Sequence, residues 1–178
     1  MKQIIGAVFS LFLSTLVSAQ DYKPTDPGST IEFVIKNFGM NSRGTFSGLD
    51  GRISFDPKDN SKAVFDVSIA AATINTDNEM RDGHLKKDAY FDAEKYPRIR
   101  MVSTSISGPD GGRYTFNGKL TIKDKTQDLS FPFVATPMGE DYLFKGSFTI
   151  NRRDFGVGGS STLSNNCIVN LSVLAKKQ

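Results

Sequence analysis

Apolar and polar side chains alternate along most of this chain. The pattern is clearest from Arg113 to Lys123. Tyr114, Phe116, Gly118, Leu120 and Ile122 fall on one side; Arg113, Thr115, Asn117, Lys119, Thr121 and Lys123 fall on the other. Successive strand side chains point to opposite faces, so this segment predicts a strand with one buried and one wetted face. The same period returns in Ala63, Phe65, Val67 and Ile69, and in Leu129, Phe131, Phe133 and Ala135. It returns again in Tyr142, Phe144, Gly146, Phe148 and Ile150, and in Cys167, Val169, Leu171 and Val173. Weaker alternation joins Ile31, Phe33 and Ile35; a glycine-broken stretch ends in Ile53 and Phe55; residues 99–107 are β-rich without a clean period. Together these predict about eight strands, at roughly 30–38, 42–55, 62–72, 97–107, 112–123, 127–137, 141–152 and 166–176.

Turn chemistry separates most of them: Asp56-Pro57-Lys58-Asp59-Asn60, Gly108-Pro109-Asp110-Gly111-Gly112, Asp124-Lys125-Thr126 and Gly139-Glu140-Asp141. Short turns between alternating strands predict an antiparallel meander, hence an all-β fold. The exception is 75–96, which is charged, lacks alternation and predicts a short helix over 80–91, between the third and fourth strands. Such a sheet stacks as a sandwich or closes as a barrel, and closure removes exposed edges. An eight-stranded barrel is either just filled by its side chains or holds one small ligand. Gly118 and Gly146 on the apolar faces fit both cases: they leave room, or they mark bends in a filled core. The pattern leaves the two open.

The N-terminus reads differently. Met1-Lys2 is followed by a largely apolar run to Val17 and by small residues at Ser18-Ala19. That order predicts a secretory signal peptide over 1–19, too short for a membrane span, and a single domain over 20–178. An exported, periplasmic or secreted location follows. Composition removes several classes. One Cys excludes an internal disulfide and Cys-rich metal sites, and one His excludes multi-histidine sites. A net charge of +3 without a long basic run argues against nucleic acid as a partner. No metal and no cofactor is expected.

The segment Arg81-Asp82-Gly83-His84-Leu85, followed by Tyr90-Phe91-Asp92 and Tyr96-Pro97, resembles a signature of the YceI-like family of secreted or periplasmic polyisoprenoid-binding proteins. Gly118-Lys119-Leu120-Thr121 and Arg152-Arg153-Asp154-Phe155-Gly156 resemble two further motifs of that family. Asp124 stands where the family often has Gly, and Asn165-Asn166-Cys167 where it often has an acidic pair; both are turn-level departures. The resemblance implies an eight-stranded, lipocalin-like antiparallel barrel whose apolar cavity takes an isoprenoid or similar amphiphile. The protein would then be a carrier, store or shuttle across an aqueous compartment. Its partners would be a hydrophobic small molecule and, transiently, a membrane; a homodimer stays open. The expected ligand positions are Phe33, Phe65, Val67, Tyr114, Phe116, Leu120, Phe131, Phe133, Tyr142, Phe144 and Phe148.

The motif residues Arg81, Asp82, His84, Leu85, Phe91, Tyr96, Pro97, Arg152, Phe155 and Gly156 are expected to be structural. Arg81 and Asp82 read as an ion pair that fixes the connection over a barrel end. His84 reads as a packed, hydrogen-bonded side chain, because a lone His with no oriented partner supports neither general-base chemistry nor a metal. Arg152 reads as the partner of Asp82 or Asp88, with a pyrophosphate head group as its alternative. Two other functions remain. One is a solid-core barrel acting through its surface, in stress response or adhesion. The other is an enzyme using His84, Asp88 or Arg152 on a bound lipid, which requires those groups to converge in a cavity.

Overall fold

The computed structural model describes residues 20–159 and 162–178; the expected signal segment 1–19 lies outside them. The strands are β1 (Gln20–Asn37), β2 (Met40–Phe46), β3 (Asp50–Phe55), β4 (Val64–Ala70), β5 (Arg98–Asp110), β6 (Arg113–Ile122), β7 (Lys125–Met138), β8 (Asp141–Asn151) and β9 (Leu163–Lys177). They form one sheet in the order β2-β1-β3-β4-β5-β6-β7-β8-β9, closed by pairing of β1 with β9. All pairings are antiparallel, as the short turns require. The result is an eight-stranded barrel with β2 as an extra strand.

β1 makes this possible by changing partners. Gln20–Tyr22 pairs with β3, Ile31–Asn37 pairs with β2, and β9 follows both halves with a register break between Thr25 and Thr30. Pro27 and Gly28 sit at this break, Gly28 with φ +84°, and Pro24 just before it. They interrupt the alternation, which is why the strand begins ten residues before its legible part. The expected strand 42–55 is two strands, parted at Ser47-Gly48-Leu49. Gly48 takes φ +71°, and the Asp26 carboxylate accepts the N–H groups of Gly48 and Leu49 at 3.0 and 2.9 Å. One carboxylate thus holds both chain breaks together.

The one α-helix among the described residues, α1 (Glu79–Leu85), is shorter than the expected 80–91. The Asn78 side chain caps it by accepting from the Arg81 N–H at 3.0 Å. Gly83 lies inside it, and the chain beyond turns back through Phe91 N–H to Leu85 O, 3.1 Å, and Ala93 N–H to Lys86 O, 2.9 Å. These turns lay the connection across one end of the barrel as a lid.

Two apolar clusters fill the two ends. At the end away from the lid, Tyr22, Phe55, Phe65, Tyr114, Phe116, Phe131, Phe133 and Phe144 form an aromatic plug. Phe55 is fully buried at its centre, with edge-on rings of Phe65, Tyr114, Tyr142 and Phe144 at 5.2–6.2 Å. Under the lid, Ala71, Ala93, Ile99, Leu120, Ile122, Phe155 and Val157 form a smaller cluster.

Candidate functional site: an apolar cavity between plug and lid

Between these clusters the inward side chains are not fully covered. Val67, Ile69, Met101, Phe148, Ile150, Val169, Leu171 and Val173 are each only half-buried, although all face the barrel interior. An inward apolar side chain in a filled core is buried; here the uncovered area faces a hollow. The cavity measures about 230 Å³. That exceeds the roughly 150 Å³ apolar cavity that stays dry and accepts a benzene ring. Its floor is the upper face of the plug: Phe65, Phe116, Phe131, Phe133 and Phe144. Its walls are the aliphatic side chains above, and its roof is Leu85, Tyr90 and Phe91 of the lid together with Phe46, whose ring meets Phe91 edge-on at 5.4 Å.

Nine expected ligand positions line this cavity: Phe33, Phe65, Val67, Phe116, Leu120, Phe131, Phe133, Phe144 and Phe148. Tyr114 and Tyr142 pack instead into the plug. Tyr114 stacks on Phe133 at 5.4 Å, and Tyr142 meets Tyr22 at 5.3 Å. The lining also holds Ile31, Ile35, Phe46, Ile69, Met101, Ile150, Cys167, Val169 and Leu171, which were not among the expected positions. Most share an alternation face with residues that were; only their aliphatic character made them less conspicuous. Gly118 lies at a register shift in β5 between Ser103 and Ser105, as a bend requires, and both Gly118 and Gly146 sit under a ring. A Cβ on Gly118 would collide with the Val102 carbonyl and lie 2.7 Å from the Phe116 ring, and one on Gly146 would lie 2.8 Å from the Phe131 ring. Each glycine seats an aromatic ring against the sheet.

The lid is fixed by Thr76 rather than by a direct ion pair. The Asp82 carboxylate accepts from the Thr76 N–H at 3.0 Å and from its hydroxyl at 2.5 Å. Arg81 donates through Nε to the Thr76 hydroxyl at 2.7 Å and through Nη2 to the Thr76 carbonyl at 2.6 Å. The Thr76 hydroxyl bond holds the Asp82 carboxyl below its ordinary pKa. Thr76 and Arg81 also line the cavity, Thr76 buried and Arg81 exposed.

Two further motif expectations fail. His84 is exposed, not packed: α1 turns Asp82 and Leu85 inward, which leaves His84 on the solvent side. Arg152 is buried, but among the described residues carbonyls hold it rather than Asp82 or Asp88. It donates to Ser164 O at 2.9 Å, Val157 O at 2.7 Å, Gly158 O at 2.8 Å and Leu163 O at 3.1 Å. Burial pushes its pKa down. The segment folding back over Arg152 needs donors for its inward carbonyls, and a guanidinium supplies several in one plane. Phe155 is buried under the lid, Gly156 closes a short helix (Arg152–Phe155) at φ +65°, and Pro97 O accepts the Ala71 N–H at 2.9 Å. Tyr96 lies beneath the Lys95 ammonium, 5.2 Å from the ring centre. Asp88 is exposed and accepts the N–H of its neighbour Ala89. His84, Asp88 and Arg152 therefore do not converge in the cavity. Cys167 lines the wall, and burial pushes its thiol up to about 11.

Fold and cavity together define a closed antiparallel barrel with an apolar hollow beneath a lid. A YceI-like domain model matches residues 22–175, and the chain belongs to that family. It is 32% identical over 165 residues to a UPF0312 protein of Photorhabdus laumondii, covering 86% of this chain and 85% of the relative. Among solved structures it is similar to Burkholderia cenocepacia BcnA, at 25% identity and a TM-score of 0.79 over 83% of this chain and 96% of that one. It shares its fold with a polyisoprenoid binding domain from Saccharophagus degradans, at 12% identity and a TM-score of 0.70 over 90% and 99% of the two chains.

Proposed function

We propose that the protein binds an isoprenoid or similar long-chain amphiphilic lipid inside the barrel, without chemistry on it, and carries or stores it in an aqueous compartment to which the protein is exported. The observation that carries this is the hollow itself: a floor and walls of apolar side chains, with Thr76 and Arg81 among the lining at the lid. The tail goes toward the plug, and the head group stays near Thr76 and Arg81. The Saccharophagus domain, described as polyisoprenoid-binding, is the reason to try isoprenoids first.

Partition energetics set the kind of binding. Each buried CH₂ is worth about 0.8 kcal/mol, so a five-carbon isoprene unit leaving water contributes roughly 3–4 kcal/mol. Two or three such units offset much of the roughly 4–15 kcal/mol cost of association. A tail drawn from a bilayer gains far less, because it leaves one apolar medium for another. Loading is then reversible against membrane, which suits a shuttle. Solvent extraction of the protein purified from its own host, followed by mass spectrometry, tests the reading. A chain-like lipid at near-stoichiometric yield is expected. No extracted lipid, together with no uptake of a labelled isoprenoid alcohol, would overturn it.

A further inference from the structure

We propose that the hollow measures the hydrocarbon end of its ligand: it encloses about two isoprene units of the tail, bare of polar groups, and leaves the rest of a longer chain outside. This rests on the lipid-binding reading and adds the length and chemistry of the segment held. Volume gives one measure. An apolar cavity of about 150 Å³ accepts the six carbons of benzene, so the 230 Å³ here takes roughly nine or ten carbons. Strand geometry gives another. β8 passes the hollow from Gly146, which seats the floor ring of Phe131, to Ile150, which packs on the cluster under the lid. That four-residue step rises about 13 Å along a strand, or roughly 10 Å along the axis of a barrel whose strands tilt by about 40°. An isoprene unit has four backbone bonds where a residue has three, so it extends about 4.5–5 Å, and two units span the same height.

The floor stops the tail. The rings of Phe116 and Phe131 lie against Gly118 and Gly146, Phe133 stacks on Tyr114 at 5.4 Å, and Phe65 and Phe144 both meet the fully buried Phe55. A longer tail would have to break these contacts to go deeper. The lining explains why the enclosed end is bare. Glu32, Ser68, Arg100 and Lys145 alternate with inward neighbours and point out of the barrel. There Glu32 accepts from Arg43 and Asn170, Ser68 accepts from Arg98, and Arg100 donates to Asp66. The polar side chains of the lining that turn inward sit at the lid end. Thr76 is committed to Asp82 and Arg81, and Arg152 to backbone carbonyls. Ser42 lies in a row of strand pairs that runs through Ile35 and Cys167 to Ile150. Toward the floor the tail meets Val67, Leu171, Val173 and the rings. A hydroxyl carried there leaves water and finds no partner.

Equilibrium dialysis of radiolabelled prenol, geraniol, farnesol and geranylgeraniol, alcohols of one to four isoprene units, tests this on the full chain. The step from prenol to geraniol should tighten binding by roughly a hundredfold or more, and each later step by less than about threefold. Geraniol hydroxylated at the far end of its chain should bind roughly tenfold or more weakly than geraniol itself. Val67→Phe sets a ring into the hollow above the floor and should weaken geraniol by roughly tenfold or more without lowering the urea midpoint. Affinity that keeps climbing steeply through farnesol and geranylgeraniol, or that tolerates the far-end hydroxyl, overturns the proposal and leaves lipid binding standing. No binding of any of the four alcohols overturns both. A folded Val67→Phe variant that holds geraniol as tightly as the parent overturns it too; if that variant unfolds, the length series and the far-end hydroxyl decide on the parent chain alone.

Discussion

Phe55 and Phe65 make a matched pair for testing whether the barrel is hollow. Each ring meets four others: Phe55 has Phe65, Tyr114, Tyr142 and Phe144, and Phe65 has Phe55, Phe116, Phe133 and Phe144, all within 6.3 Å. Their exposures are 0% and 5%. They differ in one respect: Phe65 also faces the cavity. Truncating a buried Phe to Ala costs about 3–5 kcal/mol, most where the void cannot collapse. Phe55 forfeits contacts on all sides, so Phe55→Ala belongs near the upper end of that range. Phe65 has no partner atoms on its cavity side, so Phe65→Ala belongs near the lower end. With a urea slope of about 1–3 kcal/mol per molar, both midpoints fall by roughly 1 M or more, Phe55→Ala further. Ligand separates them again. An isoprenoid alcohol at 100 times its Kd returns about 2.7 kcal/mol to any variant that binds it. Phe65→Ala opens the floor and should shift the preferred chain to a longer one; Phe55→Ala should not. If Phe65→Ala costs as much as Phe55→Ala and chain preference stays put, the floor is not a free surface and the cavity argument fails.

Three further outcomes follow from named contacts. Arg152→Ala strands several inward carbonyls and should cost at least about 3 kcal/mol in urea unfolding, counting only two charge-assisted bonds of roughly 1.5 kcal/mol each, with Arg152→Lys recovering only part because it lacks the planar donor set. The Cys167 thiol, raised to about 11 by burial, is deprotonated to about one part in a thousand at pH 8. Its reaction with a disulfide reagent should run at least roughly a hundredfold slower in the native than in the unfolded chain, and should quicken tenfold per pH unit toward pH 11. Asp82 has a lowered native pKa, so its contribution to the lid is whole above the unfolded value of about 3.9 and is lost as pH falls through the native value. Hydrogen exchange over 75–96 should therefore rise below about pH 4, and Asp82→Ala should show that faster exchange at neutral pH.

The strongly alternating segments at Phe65, Phe116, Phe131, Phe144 and Val169 were legible because each sits on a strand with one dry face. What escaped was local geometry carried by few residues. The β1 bulge was not legible because Pro27 and Gly28 break the alternation ahead of Ile31, Phe33 and Ile35. Arg152 looked like half of an ion pair because a buried guanidinium usually seeks a carboxylate; nothing in the spacing reveals five-residue turns whose carbonyls aim at one point. His84 was read as packed because a lone His without an oriented partner supports neither catalysis nor a metal, but helix phase decides exposure, and α1 turns Asp82 and Leu85 inward instead.

The location of the hollow was also written in the strands, though only once their directions are known. From plug to lid, β6 reads Tyr114, Phe116, Gly118, Leu120, Ile122, and β8 reads Tyr142, Phe144, Gly146, Phe148, Ile150. β4 reads Phe65, Val67, Ile69 in the same sense. β7 runs the other way, and its order is reversed: Leu129, Phe131, Phe133 along the chain. Every one of these strands is aromatic toward the plug and more aliphatic toward the lid. Flat rings, edge-on around Phe55 and stacked at Tyr114–Phe133, pack the plug end. Short branched side chains stop short of the barrel axis and leave space between them. An antiparallel neighbour must invert its sequence order to keep the same residue type at the same height, and β7 does so. The gradient, not any single residue, makes one end of this barrel solid and the other hollow. Reversing it within one strand, for instance by exchanging Phe65 and Ile69, should therefore disturb both ends at once: a hole in the plug and a ring in the cavity.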